Sequence, residues 1–464
     1  MSIFTPETFD KSLWPLLVLY AEMHYKFRGI YSRFWKQEPE IIADVPHRLE
    51  PGHSLPVLIL IKDAHRYPMN LQRVAVTLFS GEHKRKIANV DFSALRIDRP
   101  MWHHLLTLSL PTELFGKVKI DVAITMQIGS KSLVYHNDNY RLSSHAPFEV
   151  LVDSDPLPKA AGWYFGDLHY HSSFTSDQVE FGAPVEATKE MAKAMGLHFL
   201  AVTDHSYDLD DNPDDYLCNH PDIPKWQQLW QRTETLNALD ESFVVLPGEE
   251  LSAGNSGRRN AHLLILNNRS FFAGSGDSAE DWLHNKPESS IQQVLSELAP
   301  GALAFAAHSE MSPPLLQRLL IRRDKWQSQD YQHFRLDGLQ FWNGEKDKAF
   351  YAGVKKWVDL LLQGRRVSAV AGNEAHGNFG RFRQIDLPFF TMRENQQELF
   401  AKAKTAAFLK DGLSYDGLLQ ALRQGRCIIT DGPFAEICLL DEQGVEWRIG
   451  DDFPGISGIL IVDV

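Results

Sequence analysis

The stretch Phe165-Gly166-Asp167-Leu168-His169-Tyr170-His171-Ser172 decides how this chain is read. An apolar run, Trp163 to Leu168, leads into two histidines spaced by one residue. Alternate side chains of a strand share a face, so His169 and His171 are expected to point the same way and to grip one metal ion. Imidazole is the commonest protein metal ligand. An isolated pair of this kind is usually an accident of a half-exposed strand. Here, however, Asp177 follows shortly after His171, and His205 ends the next apolar run. Later β-like runs also carry a histidine or carboxylate at or near one end. The rest of the chain therefore reads as scaffolding for a polynuclear metal site.

Working outward, β and α patterns alternate from Gly162 onward, the signature of a parallel sheet or barrel. The β-like runs are Trp163–Leu168, Leu197–Val202, Phe243–Leu246, His262–Leu266, Leu303–Ala307, Gly338–Phe341 and Val367–Ala371. Helix-like segments include Pro184–Met195, which starts on proline and is followed by Gly196, and also Lys225–Leu239, Ser289–Leu298 and Tyr351–Leu362. The runs predict an α/β fold with a (β/α)7 barrel over residues 162–407. Two connections, Tyr207–Pro224 and Pro313–Phe334, exceed ordinary loop length and are expected to help shape a site.

Residues 1–40 read as an N-terminal helical segment, in which Leu13 to Ala21 is a short buried helix interrupted by Pro15. Residues 41–155 carry short β runs separated by turn residues and read as a β-sandwich-like domain. His103, His104, His136 and His145, in that region, lack spaced carboxylate partners and read as surface or packing residues. Residues 408–464 read as a C-terminal helix and β strands, with completion of the β module by those strands left open.

With 464 residues, the chain is expected to form two or three domains, at about 100–200 residues each. A net charge of −13 without a basic stripe argues against an extended nucleic-acid surface or anionic-membrane binding. Cys218, Cys427 and Cys438 are too few and too scattered for a disulfide framework or a thiolate metal site, which fits a cytoplasmic setting. Leu13 to Ala21 is about half the length of a membrane span and lacks a basic leader, so neither a span nor a signal peptide is read there.

Barrel enzymes place their chemistry at the carboxyl ends of strands. Those ends offer His169 and His171, then Thr203-Asp204-His205, Pro247-Gly248-Glu249-Glu250, Ala306-Ala307-His308 and Gly372-Asn373-Glu374-Ala375-His376. His262 sits instead at the start of its run, an irregularity. Six histidines with Asp177, Glu250 and Glu374 supply ligands for two or three divalent ions. Mixed imidazole and carboxylate shells suit zinc, manganese or iron better than magnesium or calcium. Asp167 and Asp204 flank ligand histidines and read either as residues that orient them or as strand-end caps. Arg258, Arg259, Arg381 and Arg383 lie on loops beside Glu250 and His376 and are the candidate substrate-binding residues, since arginine forks suit phosphate oxygens.

These ordered motifs resemble the PHP (polymerase and histidinol phosphatase) superfamily over about residues 162–380. The resemblance implies a distorted (β/α)7 barrel with a di- or trinuclear centre that hydrolyses phosphoesters. It implies His169, His171, Glu250 and Glu374 at one metal, and Asp177, His205 and His376 at a second. Glu250, His262 and His308 would share a third, with Glu250 bridging. The sequence departs from the family at Glu374, where an aspartate is usual. Glu250 is preferred over Glu249 because it matches the motif's position before Leu251-Ser252. The β module, Asp337-Gly338-Leu339-Gln340-Phe341-Trp342-Asn343-Gly344 and Thr430-Asp431-Gly432-Pro433-Phe434 are also similar to a branch that includes hydrolases of carbaryl-type carbamates.

The expected activity is a metal-dependent phosphoesterase acting on a small anionic phosphoester through a metal-bridged hydroxide. A carbamate or ester hydrolase with the same centre is the first alternative, and a non-catalytic binding protein with a relic barrel is the second.

Overall fold

A computed structural model describes residues 38–464 apart from 141–144, 159, 177–180, 214, 275, 277–284, 382–383, 388–389, 394–398, 456 and 464. The helical segment expected within residues 1–40 lies, up to residue 37, outside the described residues. The chain forms two compact units. One comprises 1–156, 177–196 and 378–399, and the other 157–176, 197–377 and 400–464.

In the first unit, strands Glu40–Asp44, Leu55–Lys62 and Met101–Leu108 form one sheet. Arg48–Leu49, Phe148–Val152, Gly116–Ile128, Met69–Ser80, His83–Ile97 and Lys131–His136 form another. Val118, Ile120, Val122, Ile124 and Met126 are buried at every second position, and they share one core with Ile41, Val57, Ile59 and Ile61 of the smaller sheet. Period-two burial on two facing sheets is what a sandwich requires. His103, His136 and His145 each meet a carboxylate after all, Glu186, Asp121 and Asp138, at 3.6, 2.9 and 3.1 Å. The helix read over Pro184–Met195 is present as Val185–Ala194 and belongs to this unit.

The second unit is built on a nine-stranded, nearly closed sheet. Its strands are β1 (Trp163–Tyr170), β2 (Phe199–Val202), β3 (Val244–Gly254), β4 (Asn260–Leu266), β5 (Leu303–Ala307), β6 (Gly338–Asn343), β7 (Ser368–Gly372), β8 (Lys404–Phe408) and β9 (Cys427–Thr430). The order is β7-β6-β5-β4-β3-β2-β1-β8-β9. All the β runs read from 163–371 are strands. The sheet curls back on itself where β7 ends: Glu374 N donates to His169 O (2.9 Å) and His171 N to Ala375 O (3.0 Å). Lower down, Thr405 of β8 bonds both backbone groups of Ala371.

The sheet is mixed rather than parallel. β1, β2 and β3 are parallel, as are β5, β6 and β7, but β4 runs antiparallel to both its neighbours. The cause is the short turn at residues 255–259, because a parallel partner needs a crossover of about a dozen residues or more. The reversal brings the start of β4 to the mouth where the other strands end, so the irregular position of His262 follows from strand direction. Helices are few. Pro224–Leu239 and Lys348–Leu362 are the longest among the described residues, and none is long and apolar enough to cross a membrane. Beyond β9, strands 436–440, 446–448 and 459–463 pair with one another in a separate antiparallel sheet.

Alternation along the strands separates an apolar base from a polar mouth. Val244 and Leu246 of β3, Leu264 and Leu266 of β4, Phe305 of β5 and Val370 of β7 share one cluster. Stepping by two from these residues reaches Glu250 and His262. Closure depends on Gly372, where a Cβ would stand 2.3 Å from His169 Cβ and 2.6 Å from His169 N. Gly372→Ala is expected to cost about 1–3 kcal/mol of stability by overpacking this seam, read as a lower midpoint in chemical denaturation.

Candidate metal centre

Glu250 is fully buried at the centre of the mouth. Its Oε1 lies 2.6 Å from His262 Nδ1 and 2.9 Å from His308 Nε2. Its Oε2 lies 3.1 Å from His169 Nε2 and 3.2 Å from both His171 Nε2 and His205 Nδ1. His169 and His171 do share a face, with their Nε2 atoms 3.3 Å apart. His376 stacks on His171 with ring centroids 4.3 Å apart and planes parallel within 1°.

The fit to a metal can be tested on atoms. Among the described residues, Glu250 Oε2, His171 Nδ1 and His205 Nδ1 are buried and make no hydrogen bond. Buried polar atoms are normally paired, so close approach without hydrogen-bond geometry marks donors converging on a shared point. Three groups have ligand atoms close enough to hold an ion: His171, His205 and His376; Glu250, His262, His308 and Glu374; and His169, His171 and Glu250. These buried groups can bind metal. Glu374 sits with His262 and His308 rather than completing the His169–His171 set. Its extra methylene relative to aspartate lets Oε2 reach Asn343 Nδ2 at 2.6 Å.

Burial pushes the His171 imidazole down to about 4, aided by neighbouring His376. Burial also lowers His205 and His308. Burial opposes charge on His169 too, but the Glu250 carboxylate outweighs it and the net direction is up. Glu250 is held well below the usual carboxylate range: burial works against its charge, and His262 and His169 more than offset it. Glu250 is thus favoured as the anion and His171, His205 and His308 as neutral imidazoles, the protonation states that ligation needs.

Local backbone geometry sharpens the picture. Alternation after Ala307 would turn His308 away from the centre. Instead the strand stops and His308 takes φ +28°, which directs its ring to Glu250. Glu374 also has a left-handed backbone, at φ +51°. Such non-glycine conformations cost free energy and cluster at functional sites.

Other expected residues lie elsewhere or act differently. Asp177 and Arg383 lie outside the described residues. Asp167 does not orient an imidazole: its oxygens accept from the backbone of His169 and Ala401 and from Asn373 Nδ2. Asp204 likewise accepts from Ser172 and Thr175 and fixes the turn after β1. Both act as strand-end caps. Glu249 faces away from the imidazoles, with Ser206 Oγ donating to it at 2.9 Å. Arg258 is exposed, and Arg259 faces Asp324 (3.7 Å) and donates to Arg318 O. Arg381 is buried in the first unit, its backbone N donating to Asp44. None of these three is seen among the metal-site contacts.

Two contributors were missed in sequence. Gln340 on β6 accepts from His308 N at 2.8 Å and lies 3.4 Å from His169 Nδ1. Arg323 brings Nη2 within 3.1 Å of His262 Nδ1 and 3.9 Å of Glu374 Oε1. Its one sequence signal is membership of the overlong 313–334 connection.

No protein-family model matches this chain, and no curated protein matches it. Among solved structures, the β-glucuronidase of Parabacteroides merdae overlaps 86% of this chain at 6% identity and a TM-score of 0.18. The β-glucuronidase of Bacteroides uniformis overlaps 91% at 8% identity and a TM-score of 0.19. The chain spans 53% and 60% of their lengths. Overlaps at those scores carry no argument about fold or function.

Two outcomes are expected. Glu250→Gln lowers metal content after reconstitution, measured by elemental analysis, while circular dichroism shows a retained fold. Burial pushes the Glu249 carboxyl up to about 8. A raised acid contributes stability that is fully present below its unfolded value and lost as pH rises through about 8. In chelated protein, the stability of Glu249→Gln relative to wild type is therefore expected to increase across that window in denaturation at stepped pH.

Proposed function

We propose that this chain is a metal-dependent hydrolase of the PHP type, most readily a phosphoesterase, built on a distorted (β/α)7 barrel whose fourth strand is reversed. One observation carries the reading: Glu250 is ringed by His169, His171, His205, His262 and His308 from separate strands and strand ends, with approaches of 2.6–3.2 Å. A relic barrel would be expected to have lost part of such a set.

The residues that would hold metal are His169, His171 and Glu250; His171, His205 and His376; and Glu250, His262, His308 and Glu374, for two or three zinc, manganese or iron ions. When bound, such ions supply Lewis-acid activation of water and of a phosphoryl or carbonyl oxygen. The chain's own work is to hold donors rigidly. Gln340 fixes the His308 backbone, Asn343 fixes the Glu374 carboxylate, and Asp167 and Asp204 tie down the loops around the histidine pair. Tyr207 stacks on His205 at 4.6 Å and limits its rotation.

The carbamate or ester alternative draws on a specific observation. Of the described arginines expected to meet phosphate, Arg258 is exposed, Arg259 faces Asp324, and Arg381 is buried with Nη2 3.4 Å from Asn378 Oδ1. The two readings separate on substrates. Manganese- or zinc-loaded protein is expected to release p-nitrophenol from p-nitrophenyl phosphate or its diester, with loss of turnover in His205→Ala and none in His104→Ala. Turnover of carbamate or carboxyl esters alone transfers the assignment to the alternative.

A further inference from the structure

We infer that Arg323 is the specificity residue of this site, donating to an anionic oxygen of the substrate beside Glu374. The inference rests on the metallohydrolase reading above and assigns a role that Arg258, Arg259 and Arg381 are not seen to fill.

Three observations support it. First, Arg323 is held in place by its backbone. Asn260 N donates to Arg322 O (3.1 Å), Asp324 N donates to Asn260 O (2.8 Å), and Asn260 Nδ2 donates to Ile321 O (2.9 Å). Asn260 opens β4, two residues before His262, so the arginine and the histidine are positioned by the same buried anchor.

Second, the contact between Arg323 and His262 would compete with metal ligation through His262 Nδ1. His262 Nδ1 has a single lone pair, and it lies within reach of both Glu250 Oε1 and Arg323 Nη2. Once that lone pair serves a metal, it no longer accepts from the guanidinium. Glu374 Oε1, 3.9 Å from Nη2, belongs to the same ligand group. Arg323 would then release His262 Nδ1 while its backbone stays fixed.

Third, the side chain keeps 23% of its surface exposed, against 2% for His262, so its head lies between the buried ligands and solvent. A planar fork there matches two oxygens of a phosphoryl or carboxylate group. Guanidinium is also a poor neighbour for a bound dication unless an anion lies between them.

The test uses metal-loaded full chain with inorganic phosphate and, in parallel, acetate as probes in titration calorimetry. Arg323→Met is expected to weaken phosphate binding about tenfold or more, the scale of a lost charge-assisted hydrogen bond, with metal content equal to or above wild type. Arg259→Met is expected to bind phosphate like wild type. Weakening of phosphate alone assigns a phosphoryl group, and weakening of both probes assigns oxyanions generally. Unchanged phosphate affinity in Arg323→Met, or a folded variant that loses metal, overturns the inference. Wild-type metal content is read first: under one ion per chain sinks the metallohydrolase reading itself, whereas full loading with an indifferent Arg323→Met sinks only the role of Arg323.

Discussion

A single carboxylate with several imidazoles crowded against it is the constraint on which the second unit turns. A buried anion is costly unless positive charge or aligned donors compensate it. Glu250 keeps its charge because His262 and His169 more than offset the cost of burial, while burial keeps His171, His205 and His308 from readily taking protons. Neutral nitrogen lone pairs around a negative centre attract cations. The cost of assembling them is tolerable because an apolar base of Leu246, Leu264, Phe305 and Val370 sits in the same barrel.

Strand direction makes that assembly possible. With β4 reversed, its first residues reach the same mouth as the last residues of its neighbours, and His262 can face Glu250 across a two-strand hairpin. Two ligand positions need left-handed backbone to arrive there, at His308 and Glu374. Regular strand geometry delivers most donors, and local strain delivers the remainder. The closing seam of the sheet is also closely packed, with Gly372 against His169.

Much of this is legible in the sequence, for identifiable reasons. Apolar runs of strand length stand out, and the polar residues that end them can be picked out from the order of amino acids alone. That is why His169, His171, His205, Glu250, His308 and Glu374 are found. The misplaced His262 is visible as an anomaly. Its explanation is also present, in the absence of any helical pattern between Phe243–Leu246 and His262–Leu266. What sequence does not convey is reach. Arg258 and Arg259 are close to Glu250 in sequence but sit on the outer side of a hairpin turn, whereas Arg323 arrives from a connection whose fold has no periodic signature. Asp167 and Asp204 are ambiguous because a carboxylate beside a histidine can serve a ring or a backbone amide, and only the folded geometry distinguishes the two. Gln340 falls within the Asp337–Gly344 motif, but its bond to the His308 backbone is not conveyed, since a buried amide in a strand looks like any interior polar residue.

The hairpin turn at residues 255–259 has a further consequence for how such a protein can diversify. It joins two neighbouring strands at the rim and is tied to the segment beyond Arg323, with Asn255 Nδ2 donating to Lys325 O (2.9 Å) and Ser256 N to Asp330 Oδ1 (2.8 Å). A change in its length would therefore move the rim and that segment together, above strands whose pairing lies below the turn. In an all-parallel barrel, a rim loop at this point would also have to lead into a crossover helix. Here that duty is removed, and the turn can vary without rebuilding a helix.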